Sequence, residues 1–413
     1  MRLREASHRG KVFLLRLAAG LSAVAMGTVA SRLFLISLSR AEEVSRASPF
    51  LFPVLGAAGL CLLLSLSGPG VKGTGTDSYI SGVRSGKGRL PSPLSPLKIL
   101  ATTLTVGSGG SGGLLGPTIL AGSRAPGLLW GSRLDPELGR QCQIAGASAA
   151  LASLLGAPVA ASLLVTEVLH RSSIEYRGLL PALGGGWGGL LLSRLLWESP
   201  ARPPLSDLPL SWPTLWGALV AAALASLLGL GLVRGLGVAR RRLDPAGISR
   251  LAPIIGGLGV GLLAWLVGAE ILGWGMAPAL DSWTSGPGLG PRSWLLAPAK
   301  VLATILTVGS GGSGGVMGPA LVTGALTANA AFSLVGGSLA ASSISAMAAG
   351  LTAVSNVPVA AAVLMLELFG PAASAYGALG ALVGFFLARS QVAYEASLAE
   401  KDLDSQKRTQ PSF

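Results

Sequence analysis

Long runs of apolar residues, separated by short polar or glycine-rich stretches, recur along the whole chain. The runs cover Val12–Leu38, Phe50–Ser67, Leu97–Thr105, Ile144–Leu169, Leu179–Trp197, Trp212–Val238, Ile254–Val267, Leu295–Thr307, Val316–Leu334, Ser342–Phe369 and Ala372–Leu387. Several are shorter than the ~20 residues that a simple membrane-spanning helix needs. The pattern predicts α-helices in a bilayer, some of which enter the membrane without crossing it. Such breaks are tolerated where they are buried in protein or line a cavity.

The composition also indicates a lipid environment. Of the 413 residues, 50% are hydrophobic and 12% are charged, and the mean hydropathy is +0.63. A soluble globular protein carries about twice this charged fraction. We therefore predict an all-α polytopic membrane protein, with the lipid bilayer as its main surroundings.

Few side chains suit enzymatic chemistry. The histidines are His8 and His170, and the cysteines are Cys61 and Cys142. Neither pair has the spacing of metal ligands, and two widely separated cysteines carry no disulfide pattern. The sequence thus predicts no catalytic residues, no metal site and no cofactor.

Basic residues gather on one side of the predicted membrane. They fall in the N-terminal head, in the loop Lys72–Lys98, in Arg240–Arg242 and in the C-terminal tail. By the positive-inside rule this side is the cytoplasm, so both termini are predicted to be cytoplasmic. The acidic segments 198–210 and 269–293, which contain or adjoin tryptophans, are predicted outside. Topology also explains the net charge of +13 without a nucleic-acid surface, which needs basic residues on a soluble fold.

The chain contains an internal repeat. Lys98–Gly122 and Lys300–Gly324 are identical at 17 of 25 aligned positions, with an offset of 202 residues. A second pair, "APVAASLLVTE" at Ala157–Glu167 and "VPVAAAVLMLE" at Val357–Glu367, follows at nearly the same offset. We therefore divide the chain into a head (1–11), two membrane halves (12–200 and 208–390) and a C-terminal segment (391–413).

The two halves are predicted to be inverted. Basic charge precedes the first helix of the first half, but it follows the corresponding helix of the second half, Trp212–Val238. The same element therefore enters the membrane from opposite sides. Inverted-topology halves place their binding sites near the membrane midplane, where broken helices meet.

Each half contains the sequence Ser-Gly-Gly-Ser-Gly-Gly-x-x-Gly-Pro before an apolar run. Glycine permits tight turns and close approach, and Gly-Pro suits a helix N-terminus. The free N–H groups and dipole of a helix N-terminus attract anions. The alternative is that these glycines only allow helices to pack closely. No Gly-Lys-Ser/Thr follows, so a phosphate-binding P-loop is excluded.

Five stretches together resemble the CLC family of chloride channels and chloride/proton exchangers. They are "GTGTD" (Gly73–Asp77), "GLLGP" (Gly113–Pro117), "GSGGSGGVMGP" (Gly309–Pro319), "QVAYEASLAEK" (Gln391–Lys401) and Ala145–Glu167. The resemblance covers about residues 12 to 400 and implies the CLC fold, in which two inverted repeats contain broken and re-entrant helices. It also implies a homodimer with one pore in each subunit.

The resemblance assigns an anion-binding role to particular residues. Thr74 and Tyr394 take the positions of two hydroxyl donors. Backbone amides come from the two facing helix termini, formed by Gly113, Leu114, Leu115, Gly116, Val316 and Met317. Neutral donors can replace the water around an anion without trapping it. The alternative readings are an interfacial anchor for Tyr394 and a turn residue for Thr74.

Two departures from the family pattern decide the functional prediction. Leu115 stands where the family has its external gating glutamate, and Leu114 replaces the preceding arginine. Val168 stands where exchangers have their inner proton-transfer glutamate. Glu167 and its counterpart Glu367 recur in both halves, which favours a structural role at a helix end.

We therefore predict passive, uncoupled conduction of chloride or a related monovalent anion. One alternative is a proton-coupled exchanger that uses an unusual carboxylate such as Glu167. Another is a non-transporting membrane scaffold that retains the fold. A leucine at 115 could also plug the outer pore.

The remaining expectations concern location and regulation. The chain resembles bacterial relatives without cytoplasmic CBS domains, so we expect an inner (plasma) membrane protein without nucleotide regulation. The hydroxyl of Thr74 argues weakly against the fluoride-specialised relatives, which lack it.

Overall fold

The computed structural model describes residues 2–85, 94–131, 133–170, 174–197, 208–243, 251–275, 290–389, 391 and 393–394. Within these ranges every named element is a helix, and the extended segments form only isolated bridges. The predicted tail 395–413, part of the loop before Leu94 and most of the predicted outer segments lie outside the described residues.

The described part of the first repeat contains nine α-helices. They are α1 (Arg2–Ser45), α2 (Phe52–Ser67), α3 (Thr76–Arg84), α4 (Leu94–Thr102), α5 (Leu115–Arg124), α6 (Gly127–Trp130), α7 (Pro136–Leu155), α8 (Pro158–Glu167) and α9 (Tyr176–Leu196). One π-helical turn, Thr103–Gly107, continues α4. The predicted head is part of α1, because the helix is continuous from Arg2.

Within its described residues, the second repeat contains seven α-helices. They are α10 (Trp212–Leu243), α11 (Ala252–Val267), α12 (Ser293–Gly309), α13 (Met317–Val335), α14 (Leu339–Ser355), α15 (Pro358–Phe369) and α16 (Ser374–Ala388).

The helices fall into long and short classes, as the apolar runs indicate. Five segments in the described ranges are long and apolar enough to cross a membrane: Lys11–Ser45, Tyr176–Leu196, Trp212–Arg242, Met317–Val335 and Pro371–Ala388. Others, such as Pro158–Glu167, are apolar but too short to span a bilayer alone. Large apolar side chains on the outer faces are exposed, which suits contact with lipid.

Equivalent helices in the two repeats end in the same way. α7 ends at Gly156 (φ 68°), and α14 ends at Asn356 (φ 54°). Both residues adopt the left-handed conformation that terminates helices, which glycine and asparagine tolerate best. A proline then begins each following helix, α8 and α15, where its missing N–H costs nothing.

Hydrogen bonds tie the two repeats together with matching geometry. The backbone N–H of Ser111 donates to the Thr307 hydroxyl (2.9 Å), and that of Ser313 donates to the Thr105 hydroxyl (3.2 Å). These residues hold equivalent positions at an offset of 202. A two-fold axis relating the repeats requires such a reciprocal pair of hydrogen bonds. The two glycine-rich segments meet near this axis.

Each of the repeated glutamates, Glu167 and Glu367, caps a helix of the other repeat. The Glu167 carboxylate accepts N–H bonds from Val359 (3.0 Å) and Ala360 (2.7 Å) at the start of α15. The Glu367 carboxylate accepts N–H bonds from Val159 (3.1 Å) and Ala160 (2.7 Å) at the start of α8. The prediction that Glu167 holds a helix end is confirmed.

Candidate functional site

Two helix N-termini, one from each repeat, meet inside the protein. α5 begins at Leu115, and α13 begins at Met317. The backbone segments that precede the two helices form a reciprocal pair of hydrogen bonds. Gly113 N–H donates to Gly315 O (2.6 Å), and Gly315 N–H donates to Gly113 O (2.7 Å). The predicted meeting of the two glycine-rich segments is confirmed.

This close approach requires glycine. A Cβ on Gly113 would fall 2.7 Å from both the nitrogen of Gly318 and Cδ of Pro319. A Cβ on Gly318 would fall 2.8 Å from Cα of Gly113. Since real Cβ atoms do not approach so closely, any larger residue would push the two termini apart.

Each terminus presents backbone amides before its first helical hydrogen bond. In α5 that first bond runs from Thr118 N–H to Leu114 O, and in α13 it runs from Ala320 N–H to Val316 O. The amides of Leu115, Gly116, Met317 and Gly318 therefore precede the helical ladder, and the prolines that follow have none. Such termini can hold a small anion without a charged side chain.

The loop Gly73–Gly75 lies against these termini. Gly73 and Gly75 have positive φ angles (67° and 79°), and Gly73 pairs with the backbone of Gly312 and Gly314. A Cβ on Gly116 would collide with the Thr74 carbonyl oxygen. The loop, the start of α5 and the approach to α13 are therefore in direct contact.

Thr74 is buried, and its hydroxyl has a defined partner. Only 2% of the residue is exposed, and Oγ1 donates to Oδ2 of Asp77 at 3.0 Å. Asp77 occupies the first turn of α3. Asp77 belongs to the motif "GTGTD", in which no role for it is predicted. Its spacing of three residues from Thr74 is the sequence feature that could have indicated this hydrogen bond.

Tyr394 reaches the same region from the C-terminal segment. The residue is fully buried, and its side chain lies beside Thr76 and Ser355. Ala393 N–H donates to Val354 O (3.1 Å), which fixes the segment against the end of α14. Thr74 thus contacts the start of α5, and Tyr394 lies beside Thr76, two residues from Thr74. The anion-binding role of these residues stays a prediction.

Two buried lysines hold the loops, and the sequence analysis missed their role. Nζ of Lys98 donates to Val71 O (3.0 Å), Gly73 O (2.7 Å) and Ser313 Oγ (2.8 Å). Nζ of Lys300 donates to three carbonyl oxygens, those of Ile271 (2.8 Å), Leu272 (3.4 Å) and Gly273 (2.8 Å). Both lysines are 0% exposed. The sequence feature that could have indicated this role is that Lys98 and Lys300 are the first residues of the two repeated stretches.

The second repeat copies the loop but not its hydroxyl. Gly273 (φ 58°) and Gly275 (φ 77°) match Gly73 and Gly75, but Trp274 stands where Thr74 stands in the first repeat. A cavity of about 250 Å³ opens beside Trp274, with Glu42, Arg46 and Glu270 in its wall. The inverted repeats are therefore chemically asymmetric at this loop.

The positions of the expected family carboxylates are apolar and buried. Leu115 is 3% exposed, Leu114 is 0% exposed and Val168 is 3% exposed, and all three belong to the main apolar cluster of the described core. Val316 and Met317 are buried in the same cluster. None of these side chains can carry a proton.

A polar cluster lies near Val168, in the connection between α8 and α9. Nε2 of His170 lies 2.9 Å from Oε2 of Glu175, and a guanidinium nitrogen of Arg140 lies 3.2 Å from the same oxygen. Burial raises the pKa of Glu175, but the hydrogen bond from His170 and the charge of Arg140 outweigh it and hold the pKa below its ordinary value. Among the described residues, no group of three or more His, Cys, Asp or Glu could hold a metal ion.

The inverted repeats, broken helices and facing termini define a helical membrane protein built like a transporter. The chain belongs to the family described as voltage gated chloride channel, whose profile matches residues 56–389. Members of this family transport anions. The resemblance of the sequence to the CLC family is therefore confirmed.

Relatives and solved structures agree with this membership. A "Chloride/fluoride channel protein" of Pseudomonas syringae pv. tomato is 28% identical over 403 residues, covering 92% of this chain and 85% of that protein. A crystal structure of a CLC-type fluoride/proton antiporter superposes with a TM-score of 0.79 at 22% identity, covering 93% of this chain and 96% of the other. A slow cyanobacterial Cl⁻/H⁺ antiporter superposes with a TM-score of 0.74 at 21% identity, covering 96% and 98%. These structures establish the fold.

Proposed function

We propose that the protein conducts chloride or a related monovalent anion passively, without obligatory proton movement. The observation that carries the proposal is the convergence of two helix N-termini, Thr74 and Tyr394 at one buried place. Leu115 at the start of α5 and Val168 at the end of α8 stand where the resemblance places the family's two proton-handling glutamates.

The donors in this arrangement suit a weakly held anion. Backbone N–H groups and hydroxyls replace water around an anion and add no fixed positive charge. The dipoles of α5 and α13 favour negative charge at the point where their termini meet. The ammonium groups of Lys98 and Lys300 are occupied by carbonyl and hydroxyl oxygens of the protein. An anion can therefore bind and leave.

Proton coupling needs groups that carry protons from one side of the membrane to the other along the anion path. Leu115 and Val168 cannot do so, and Glu167 is engaged by two backbone N–H groups of α15. These contacts support the uncoupled function.

A proton-coupled exchanger is the second candidate. It is favoured by the antiporter function of the two similar solved structures. In this candidate another carboxylate, such as Glu167, replaces the family's glutamates. A scaffold without transport is the third candidate, but it gives no reason for the convergence of Thr74, Tyr394 and both termini.

The anion itself is chloride in our proposal, with fluoride as the competitor. The Pseudomonas syringae relative is called a chloride/fluoride channel, and a similar structure belongs to a fluoride/proton antiporter. We favour chloride because Thr74 carries a hydroxyl that the fluoride-specialised relatives lack. Both ions therefore belong in any transport assay.

We further propose a homodimer in the bacterial inner (plasma) membrane, with one pore per subunit and both termini cytoplasmic. The family resemblance implies the dimer. Exposed apolar side chains on α9 and α16, including Leu180 (81%) and Phe386 (70%), are suited to a helix partner or to lipid. The positive-inside pattern supports the orientation.

The test is ion efflux from liposomes that contain the purified protein. Vesicles loaded with potassium chloride or potassium fluoride receive valinomycin, which clamps the potential, and electrodes follow the halide and external pH. Chloride efflux without proton movement is the expected result. Proton movement that requires valinomycin-driven chloride flow would favour the exchanger, and the absence of any efflux would favour the scaffold.

A further inference from the structure

The hydroxyl assigned to the anion is bonded to a carboxylate. Oγ1 of Thr74 donates to Oδ2 of Asp77 at 3.0 Å. A threonine hydroxyl has a single proton to donate. While this bond exists, Thr74 cannot offer that proton to an anion.

Asp77 has a structural reason to be ionised. It lies in the first turn of α3, where the helix dipole stabilises a negative charge. A purely structural role for Asp77 would consist only of this stabilisation of α3. The contact with Thr74 adds a second effect, because an ionised Asp77 places negative charge beside the proposed anion position and opposes anion entry.

The surroundings place this carboxylate at the edge of the buried site. Thr74, Thr76 and Tyr394 are at most 2% exposed, whereas Asp77 is only partly buried. Asp77 acts electrostatically on both Tyr394 and Lys98. Oδ1 of Asp77 is buried although the residue as a whole is partly exposed, so the carboxylate lies between the sealed groups and the exposed side.

Other charges around α3 are already engaged. Lys98 directs its ammonium protons to Val71 O, Gly73 O and Ser313 Oγ. A guanidinium nitrogen of Arg124 donates to the Ser78 carbonyl (3.3 Å). Lys98 of α4 and Tyr394 interact electrostatically with Asp77 itself. Arg140 of α7 and Glu175 before α9 act on Tyr79 of α3, Arg124 of α5 donates to α3, and Arg240 of α10 acts on Tyr394.

We propose that Asp77 is a proton-operated gate at the end of the anion path that the charge pattern assigns to the cytoplasm. As a carboxylate it holds the Thr74 hydroxyl and repels the anion. A proton from water on the same side neutralises it, which removes the repulsion and weakens the bond, so that the Thr74 hydroxyl can turn to the anion. The proton later returns to that side, so gating carries no net proton across the membrane. This inference rests on the anion role proposed for Thr74.

The first test is the pH dependence of efflux from liposomes, with equal pH on both sides. Chloride efflux through the unchanged protein is expected to rise about tenfold or more between pH 7.5 and pH 4.5, equivalent to about 1.4 kcal/mol. Asp77→Asn removes the charge and keeps the size. Its efflux is expected to be high at both pH values.

A matched control separates this gate from a general effect of acid. Glu137 lies in the first turn of α7, and its side chain is 60% exposed. Glu137→Gln should keep the pH profile of the unchanged protein. Size-exclusion chromatography and thermal unfolding establish that each variant is folded.

A second measurement does not depend on an open path. Isothermal titration calorimetry in detergent should show that Asp77→Asn binds chloride about tenfold more tightly than the unchanged protein at pH 7.5. At pH 4.5 the two affinities should converge. This readout holds even where Leu115 restricts flow.

The outcomes distinguish the gate from the underlying function. If the unchanged protein passes and binds chloride, but Asp77→Asn has the same affinity and pH profile, the gate is refuted and the proposed function stands. If neither protein binds or passes chloride or fluoride at any pH, the proposed function fails and the gate fails with it.

Discussion

Glu167 and Glu367 each cap the helix that carries the other. Glu167 ends α8 and receives two N–H bonds from the start of α15, while Glu367 in α15 receives two from the start of α8. The two helices are therefore locked side by side across the repeat boundary. This symmetric exchange explains why the same glutamate occurs in both halves and gives Glu167 a role independent of protons.

Symmetry makes a paired prediction possible. Glu167→Gln and Glu367→Gln should each destabilise the protein by about 1–3 kcal/mol, because a charged cap is lost at a helix N-terminus. Thermal unfolding in detergent measures the effect. Glu137→Gln, a control at a 60% exposed side chain, should lower the midpoint less than either variant does. If Glu167→Gln altered proton movement in liposomes while Glu367→Gln did not, Glu167 would have to be a transport residue.

Leu115 should limit anion flow at the α5 terminus. Leu115→Ala shortens the side chain there and should raise chloride efflux about tenfold, a change of about 1.4 kcal/mol in the barrier. Leu120→Ala is the control, because Leu120 is a buried leucine of the same helix. Each substitution should cost about 2–5 kcal/mol of stability. Equal efflux from both variants would show that Leu115 does not restrict the path.

The hydroxyl of Tyr394 should contribute to anion affinity. Tyr394→Phe removes one donor of ~1 kcal/mol, so chloride should bind about fivefold more weakly at pH 4.5. Tyr79→Phe is the matched control, since Tyr79 is also fully buried and its hydroxyl donates to Val165 O (2.9 Å). Calorimetry should show unchanged affinity in the control. An equal loss in both variants would point to general damage to packing.

Lys98 and Lys300 should affect stability alike but anion binding differently. Removing either ammonium by substitution with methionine should cost about 1.5–3 kcal/mol, the range for a hydrogen bond to a charged group. Only Lys98 holds the loop that carries Thr74, so Lys98→Met alone should weaken chloride binding. Thermal unfolding and calorimetry on both variants make the comparison. Equal loss of binding would contradict the asymmetry assigned to the two loops.

The cluster of His170, Glu175 and Arg140 should make stability sensitive to acid. The pKa of Glu175 lies below its ordinary value in the folded protein. Its stabilising contribution is therefore complete above the ordinary carboxyl pKa of about 4.3 and is lost as the pH falls through the lower folded value. Glu175→Gln should reduce the fall in the unfolding midpoint between pH 5 and pH 3. An unchanged acid profile would contradict this assignment.

The sequence was most informative where function depends on the backbone. Glycine, proline and near-identity between halves predicted both the meeting of α5 with α13 and the inverted repeat, because these signals are local or periodic. Hydropathy marked the apolar part of α1 but not its full extent from Arg2. Pro181 and Pro298 lie inside α9 and α12, so proline alone did not locate the helix ends.

Side-chain partners across the repeats were beyond local signals. The contact of Lys98 with Ser313 joins residues 215 positions apart, and sequence spacing cannot reveal it. Asp77 was visible in its motif, but its bond to Thr74 depends on how the loop turns into α3. The longer repeats align at an offset of 202 residues, whereas the two loops align at an offset of 200. The correspondence of Trp274 with Thr74 is therefore visible only when the loops are aligned separately.

The most direct test of the central claim is the voltage at which net chloride flux is zero in liposomes. Vesicles carry a tenfold chloride gradient, valinomycin sets the voltage through potassium, and the pH gradient is varied. Uncoupled conduction predicts zero flux at the chloride equilibrium potential, about 59 mV in magnitude, whatever the pH gradient. A zero-flux voltage that shifts with the pH gradient would show that protons share the transport cycle and would contradict the account.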